Sequence, residues 1–173
     1  MSKRIAVLIT HDYEDADYPE LIHAFRAARH SVVNVENKAG NIVYGYQRRS
    51  SVTIDQSIDD VTIHDFDALL IPGGQSPAQL RDDLRFVDFV QNFANAQKPI
   101  MSTCHGPQLL IHASVVKGRR MTSIAPVMLE LMDAGAVYFD EAVVNDNNLY
   151  ISSRSPEDLP IFIRESLHVL SLH

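Results

Sequence analysis

Along the chain, short runs of consecutive apolar residues alternate with longer stretches in which apolar positions recur every three or four residues. Residues 5–10, "IAVLIT", are continuously apolar and rich in branched side chains. That is the pattern of a strand buried on both faces of a parallel sheet. The next stretch, "HDYEDADYPELIHAFRAARH", turns acidic and then takes helical spacing. It predicts a helix with Leu21, Ile22, Phe25 and Ala28 on one face and Pro19 near its start. "SVVNVEN" predicts a second strand, and "NIVYGY" and "SVTI" flanking "QRRS" predict an irregular hairpin within 41–54. "FDALLIPGG" at 66–74 repeats the motif of an apolar strand ending in a glycine turn. The helix after it should carry Leu84, Val87, Phe89, Val90 and Phe93.

The motif returns in "KPIMSTCHGPQLLIHAS", with a short strand from Pro99 to Cys104 and Pro107 in the first turn of a helix. "RRMTS" and "APVMLELMDAGA" predict one more strand and helix. The Asn/Asp-rich turn at 145–148 predicts a hairpin in "VYFDEAVVNDNNLYISS". "SPEDLPIFIRESLHVLSLH" closes the chain as an amphipathic helix, with Ser155 as its expected N-cap. Alternating strands and helices imply an α/β fold, an open, mostly parallel sheet with helices on both faces. Ligands of such sheets bind beyond the carboxyl ends of the strands. The segments after Thr10, Ile71 and Thr103 should therefore meet at one edge.

Composition narrows the function. With 173 residues and 46% hydrophobic residues, the expectation is one domain over 1–173. Twenty-two acidic against fifteen basic residues leave a net charge of −7, which argues against nucleic acid as the primary partner. Arg48-Arg49 and the basic residues of 117–120 are expected in solvated turns. The single cysteine, Cys104, cannot form an internal disulfide and suits a reducing, cytoplasmic setting. The N-terminal apolar run is too short for a signal core or a membrane span, so no membrane association is expected.

Candidate chemistry converges on "STCHGPQLL" at 102–110. A cysteine between strand and helix matches the nucleophile elbow of hydrolases, with sulfur in place of oxygen. The helix N-terminus is expected to favour its thiolate. Gly106 permits close backbone approach, and N–H groups around His105 could stabilise an oxyanion. Cysteine is also among the most buried residue types, and position alone leaves packed thiol and nucleophile evenly balanced. The glycines of "PGGQSP", Gly73 and Gly74, suit a close approach or a positive φ; neither GxGxxG nor GxxxxGK[ST] occurs, so nucleotide binding has no local support. Asp12, Glu14, Asp15 and Asp17 are read as the acidic opening of a helix, unless one carboxyl faces the sulfur. The eight histidines show neither HExxH nor an i, i+4 pair, so no metal is expected.

Together "ALLIPGG", "STCHGPQLL", the "YEDAD" turn and "SSRSPEDLP" resemble the PfpI/ThiJ family nearly end to end. The resemblance implies the flavodoxin-like fold of class I glutamine amidotransferases, Cys104 as the reactive cysteine with His105 beside it, and Asp17 at the acidic position, usually glutamate, that contacts the thiol. It further implies Glu14 as the second acid and Gly74 with the backbone around His105 as the oxyanion site. The implied activity is a cofactor-independent glyoxalase III or deglycase of carbonyl stress, acting on methylglyoxal, glyoxal or glycated protein. A redox-sensing or chaperone stress protein is the alternative, and an intracellular cysteine peptidase stands behind both. The acid that peptidase-like members carry after the "PGGxxP" proline is Ala78 here, with Asp82 and Asp83 as possible substitutes. Self-association into a dimer or higher oligomer is also implied by the resemblance.

Overall fold

The computed structural model describes residues 1–173. Its elements in chain order are β1 (Arg4–Leu8), α1 (Tyr18–Ala27), β2 (Ser31–Glu36), β3 (Ile42–Tyr44), β4 (Ser51–Thr53), β5 (Gln56–Ser57), β6 (Ala68–Ile71), α2 (Ser76–Leu80) and α3 (Leu84–Asn95). There follow β7 (Ile100–Thr103), α4 (Pro107–His112), β8 (Arg120–Met121), α5 (Met128–Asp133), β9 (Val137–Tyr138), β10 (Val143–Asp146), β11 (Tyr150–Ser153) and α6 (Leu159–Leu172). Seven strands form one sheet in the order β10-β11-β7-β6-β1-β2-β5, parallel except for β10 against β11. Apart from the two-residue edge strand β5, the parallel strands read 2-1-3-4-5 in chain order, the flavodoxin-like arrangement, whose direction reverses between β1 and β6.

Strand alternation sorts the core onto two faces. Ile5, Val7, Leu70, Met101 and Ile151 point to α1 and α6, where Phe25 and Phe162 are fully buried. Ala6, Leu8, Leu69, Ile71 and Ile100 point to the opposite layer, with Val87, Val90 and Phe93 of α3 and Leu109 and Leu110 of α4. Both faces being apolar is why the strands read as unbroken hydrophobic runs rather than as alternation. The β10–β11 turn places Asn147 and Asn148 both at positive φ, +56° and +59°, which suits a tight hairpin connection.

Several expectations change in three dimensions. Ala28 is the exposed C-cap of α1, and Leu84 opens α3 with 72% of its surface in solvent, because each lies at a helix end beyond reach of the sheet. "RRMTS" does not join the main sheet: β8 pairs in parallel only with β9, across α5. Ser155 occupies an N-cap position, but of a 3-10 turn at Pro156–Asp158, and its side chain caps nothing. Arg119 is not a solvated turn residue: its guanidinium lies 4.1 Å from the Tyr150 ring centre and shares the buried Asp146 carboxylate with Arg120. Arg48 does remain at the surface. The short helix α2 and edge strand β5 have no clear periodic signal. No helix is long and apolar enough to cross a membrane.

Phe93 is fully buried and stacks on Phe89 with ring centres 5.9 Å apart. Replacing Phe93 by alanine should lower stability by about 3–5 kcal/mol through lost transfer energy and a cavity. A urea titration measures it, and a loss under 1 kcal/mol would contradict this placement of the core.

Candidate active site

The ends of β1, β6 and β7 are neighbours in the sheet, so the three expected segments do converge. Cys104 follows β7 with φ +52°, a conformation costly for a residue with a side chain. It is held there from both sides: its N–H donates to the Ser153 carbonyl at 3.1 Å, and its own carbonyl accepts from the Ile124 N–H at 3.1 Å. Two glycines make the turn compact enough. A Cβ on Gly73 would sit 2.8 Å from Cys104 Cβ, and one on Gly106 would sit 2.6 Å from the Ile71 carbonyl. Gly74 adopts φ +79° and packs against the backbone of 12–14, where an added Cβ would lie 2.4 Å from the Asp12 carbonyl.

Asp17 stands at the N-cap position of α1 but does not cap the helix; its carboxyl turns to β7 instead. Oδ2 accepts the Thr103 hydroxyl at 3.0 Å and the Cys104 thiol at 3.4 Å. The acid with one methylene fewer therefore still touches the sulfur directly. Asp17 is fully buried, Cys104 is 2% exposed, and Asp17 Oδ1 has no hydrogen-bond partner. Burial pushes Asp17 up to about 6, against the pull of Thr103 and Cys104; the charge of Glu14 adds to the rise.

The thiol moves opposite to the direction expected from a helix N-terminus. Burial raises it first, then the Asp17 charge and hydrogen bond, with Glu14 adding to both. α4 is only six residues long and starts three positions beyond the sulfur, so its dipole is a minor influence. His105 is half-buried and held below the ordinary histidine range by burial, with the charges of Glu14 and Glu130 opposing.

Of the four acids in the "YEDAD" region, only Asp17 faces the sulfur. Asp12 pairs with Arg48 at 2.8 Å, and Asp15 accepts the N–H groups of Gln47 and Ser50, so these two hold the β3–β4 connection rather than opening α1. Glu14 Oε1 accepts the Ala16 N–H. The N–H groups of Gly74 and His105 donate to no protein acceptor, whereas the Gly106 N–H is used by the Thr103 carbonyl at 2.7 Å. Gly106 thus serves close packing and offers no donor to a ligand. Asp83 caps α3 and grips Arg85 at 2.7 Å, which leaves it unfit to replace the missing acid at Ala78. Thr103 and Glu130 are parts of these surroundings that the sequence motifs did not flag. Thr103 could be suspected only from strand parity, since it shares a face with Met101. A groove of about 800 Å³ along α3 and residues 58–64 is lined by none of Glu14, Asp17, Thr103, Cys104 and His105. No cluster of three His, Cys, Asp or Glu side chains is arranged to hold a metal ion.

Residues 3–169 match the model of the DJ-1/PfpI family. The chain belongs to the DJ-1/PfpI family. It is 49% identical over 170 residues to protein/nucleic acid deglycase 2 of Escherichia coli K12, covering 98% of this chain and 99% of that one. It is 46% identical, over the same shares, to general stress protein 18 of Bacillus subtilis. Among solved structures, a two-domain protein of Anabaena variabilis with DJ-1/ThiJ/PfpI-like and ferritin-like domains superposes with a TM-score of 0.94 at 33% identity. That match covers 98% of this chain and half of the other. The flavodoxin-like sheet and the family read from the motifs are therefore both correct.

A buried acid raised from an ordinary 3.8 to about 6 opposes folding when ionised. Its cost is absent where the acid is protonated in both states and reaches its full value above pH 6. The stability of Asp17→Asn relative to the wild-type DJ-1/PfpI protein should therefore rise by about 2–3 kcal/mol between pH 4 and pH 8. Urea titrations at both pH values test this; a difference that does not change with pH would show that Asp17 carries no buried charge.

Proposed function

We propose that this protein is a cofactor-independent deglycase of carbonyl stress that acts on adducts of methylglyoxal and glyoxal, with free 2-oxoaldehydes as smaller substrates of the same site. The contact of the Cys104 sulfur with the buried Asp17 carboxyl, 3.4 Å away, carries this reading. The name of the 49% identical relative supports it.

Asp17 and Cys104 titrate as a pair, since each lies in the other's field. The carboxyl gives up the first proton, and the remaining one stays mostly on sulfur, crossing the 3.4 Å contact to Asp17 Oδ2 in the minor form that reacts. In the form with the proton on Asp17, the thiolate attacks C1 of the adduct and displaces the amine, or adds to the free aldehyde, giving a hemithioacetal. The alkoxide or the departing amine takes the proton from Asp17. As a carboxylate, Asp17 then takes the C1 proton and returns it at C2 while the hydroxyl proton passes from the C1 to the C2 oxygen; the product is a thioester of the 2-hydroxy acid. Water hydrolyses the thioester, releasing lactate from methylglyoxal or glycolate from glyoxal and restoring the thiol. C1 is oxidised as C2 is reduced, so the overall change consumes only water and calls for no external oxidant or reductant.

His105, which burial holds below the ordinary histidine range and so leaves without a proton to give near neutral pH, is assigned to orient the adduct, and Glu14 tunes it by its charge. The free N–H groups of Gly74 and His105 are the donors assigned to the oxyanion. The small exposure of Cys104 favours small carbonyl groups and adducts at the tips of flexible side chains. The negative net charge favours glycated protein over polynucleotide. A peptidase reading is weakened, because Ala78 has no carboxyl and Asp83 is occupied by Arg85, which leaves only the exposed Asp82 as a substitute acid. A reducing compartment such as the cytoplasm would keep the thiol free. Self-association belongs to the same reading: Leu129 and Met132 on α5 and Val137 on the adjoining β9 leave apolar surface exposed.

Methylglyoxal-treated peptide, methylglyoxal, a glycated nucleotide and casein, offered to wild type and Cys104→Ala, test the proposal. Amine release from the peptide should fall about a thousandfold or more in Cys104→Ala, with lactate as the product of the wild type. Equal turnover by the two proteins, or casein cleavage in place of amine release, would overturn it.

A further inference from the structure

We propose that Thr103 is a positioning residue of the cysteine site, whose hydroxyl anchors the Asp17 carboxyl against the sulfur and keeps the proton of the pair from settling permanently on Asp17. The inference rests on Cys104 being the reactive atom, as proposed above.

The argument begins with the sheet. Thr103 is the last residue of β7, fully within the parallel pairing with β11 and opposite Ser153. Met101, two positions earlier, faces α1 and α6, so strand parity sends the Thr103 side chain to that same face. The first residue met there is Asp17, at the start of α1. A β-branched side chain in a strand has few χ1 choices, which makes Thr103 a stiff anchor. Its hydroxyl donates to Asp17 Oδ2 at 3.0 Å, the same oxygen that accepts the thiol. The other oxygen, Oδ1, is buried without a partner. Of the two side-chain donors on this carboxyl, one is therefore the thiol itself, and Thr103 is the one that does not take part in the chemistry.

Removing that donor has a direction. The charged groups around Asp17 are Cys104 from the end of β7 and Glu14 from the turn before α1. The β6 loop contributes the Gly73 backbone amide and no charge, and His105 acts at one remove through Glu14. Burial and the charge of Glu14 disfavour the carboxylate, and only the Thr103 hydroxyl and the thiol donate to it from side chains, so without the Thr103 hydroxyl the carboxyl should hold its proton to higher pH. The first deprotonation of the pair then moves upward, by about one pH unit for the loss of one hydrogen bond to a charged group. A residue that merely filled space would leave that transition where it is.

Cys104 is the only cysteine, so its alkylation by iodoacetamide reads the pair directly in the intact protein. Rates measured from pH 4 to 9 should place the first transition of Thr103→Val about one unit above wild type, with Thr103→Ser within a few tenths of it. Unchanged transitions in Thr103→Val, or equal displacement in Thr103→Ser, would overturn the inference. If Thr103→Val does not fold, Thr103→Ala against Thr103→Ser asks the same question, with thermal melts as the check on folding. Deglycation is assayed in parallel. Shifted alkylation without turnover by any of the proteins would sink the deglycase reading and leave the role of Thr103 standing, whereas normal turnover with unshifted alkylation would do the reverse.

Discussion

Taking a carboxyl group out of water costs several kcal/mol unless donors meet it, and Asp17 has been taken out of water completely. Much of the surrounding architecture can be understood as the response. Gly73 carries no Cβ, so the β6 loop can lie against Cys104 and the carboxyl at once. Thr103 at the end of β7 and Cys104 just after it come to the same oxygen from adjacent positions, with the chain turned to positive φ at Cys104. The backbone bonds to Ser153 and Ile124 hold that turn in place. This crowding brings the acid and the thiol into direct contact, the contact on which the proposed proton transfer depends.

The sheet determines where this can happen. Its strand order reverses direction between β1 and β6, so their connections leave on opposite faces and a crevice opens at their carboxyl ends. β7 lies one strand further on and delivers the cysteine to the edge of that crevice. The acids that precede α1 then divide the labour. Asp12 and Asp15 tie down the β3–β4 connection, Glu14 lends its charge to the site, and Asp17 enters it. Placing one acid in the site while its near neighbours hold a loop lets a short segment serve both stability and chemistry.

Strand positions were legible because a sheet covered on both faces demands unbroken apolar runs, and few other structures do. The motifs around Cys104 were equally legible, since an elbow between strand and helix needs small residues at set places. Helix ends were less so: Ala28 and Leu84 satisfy a helical repeat yet lie past the edge of what the sheet can cover. Arg119 resembled any basic turn residue until Tyr150 and Asp146, distant in sequence, were brought against it. The ionisation of the thiol departs from what its place before a helix implies for a related reason. A helix start is visible in the sequence, but the desolvation and the facing acid that outweigh it are not.

The sequence by itself determined the order of most strands and helices, the edge at which the loops after β1, β6 and β7 converge, and the one cysteine that is the candidate nucleophile. These depend on local backbone preferences and on which residues water rejects, and both are properties of short segments. Only the tertiary structure decided that Asp17, the acid to which the family resemblance pointed, reaches the sulfur directly despite its shorter side chain, that Thr103 shares its oxygen, and that burial rather than a helix end governs the thiol. Those outcomes depend on distances of 3–3.5 Å between groups more than 80 residues apart, and on the exclusion of water from between them.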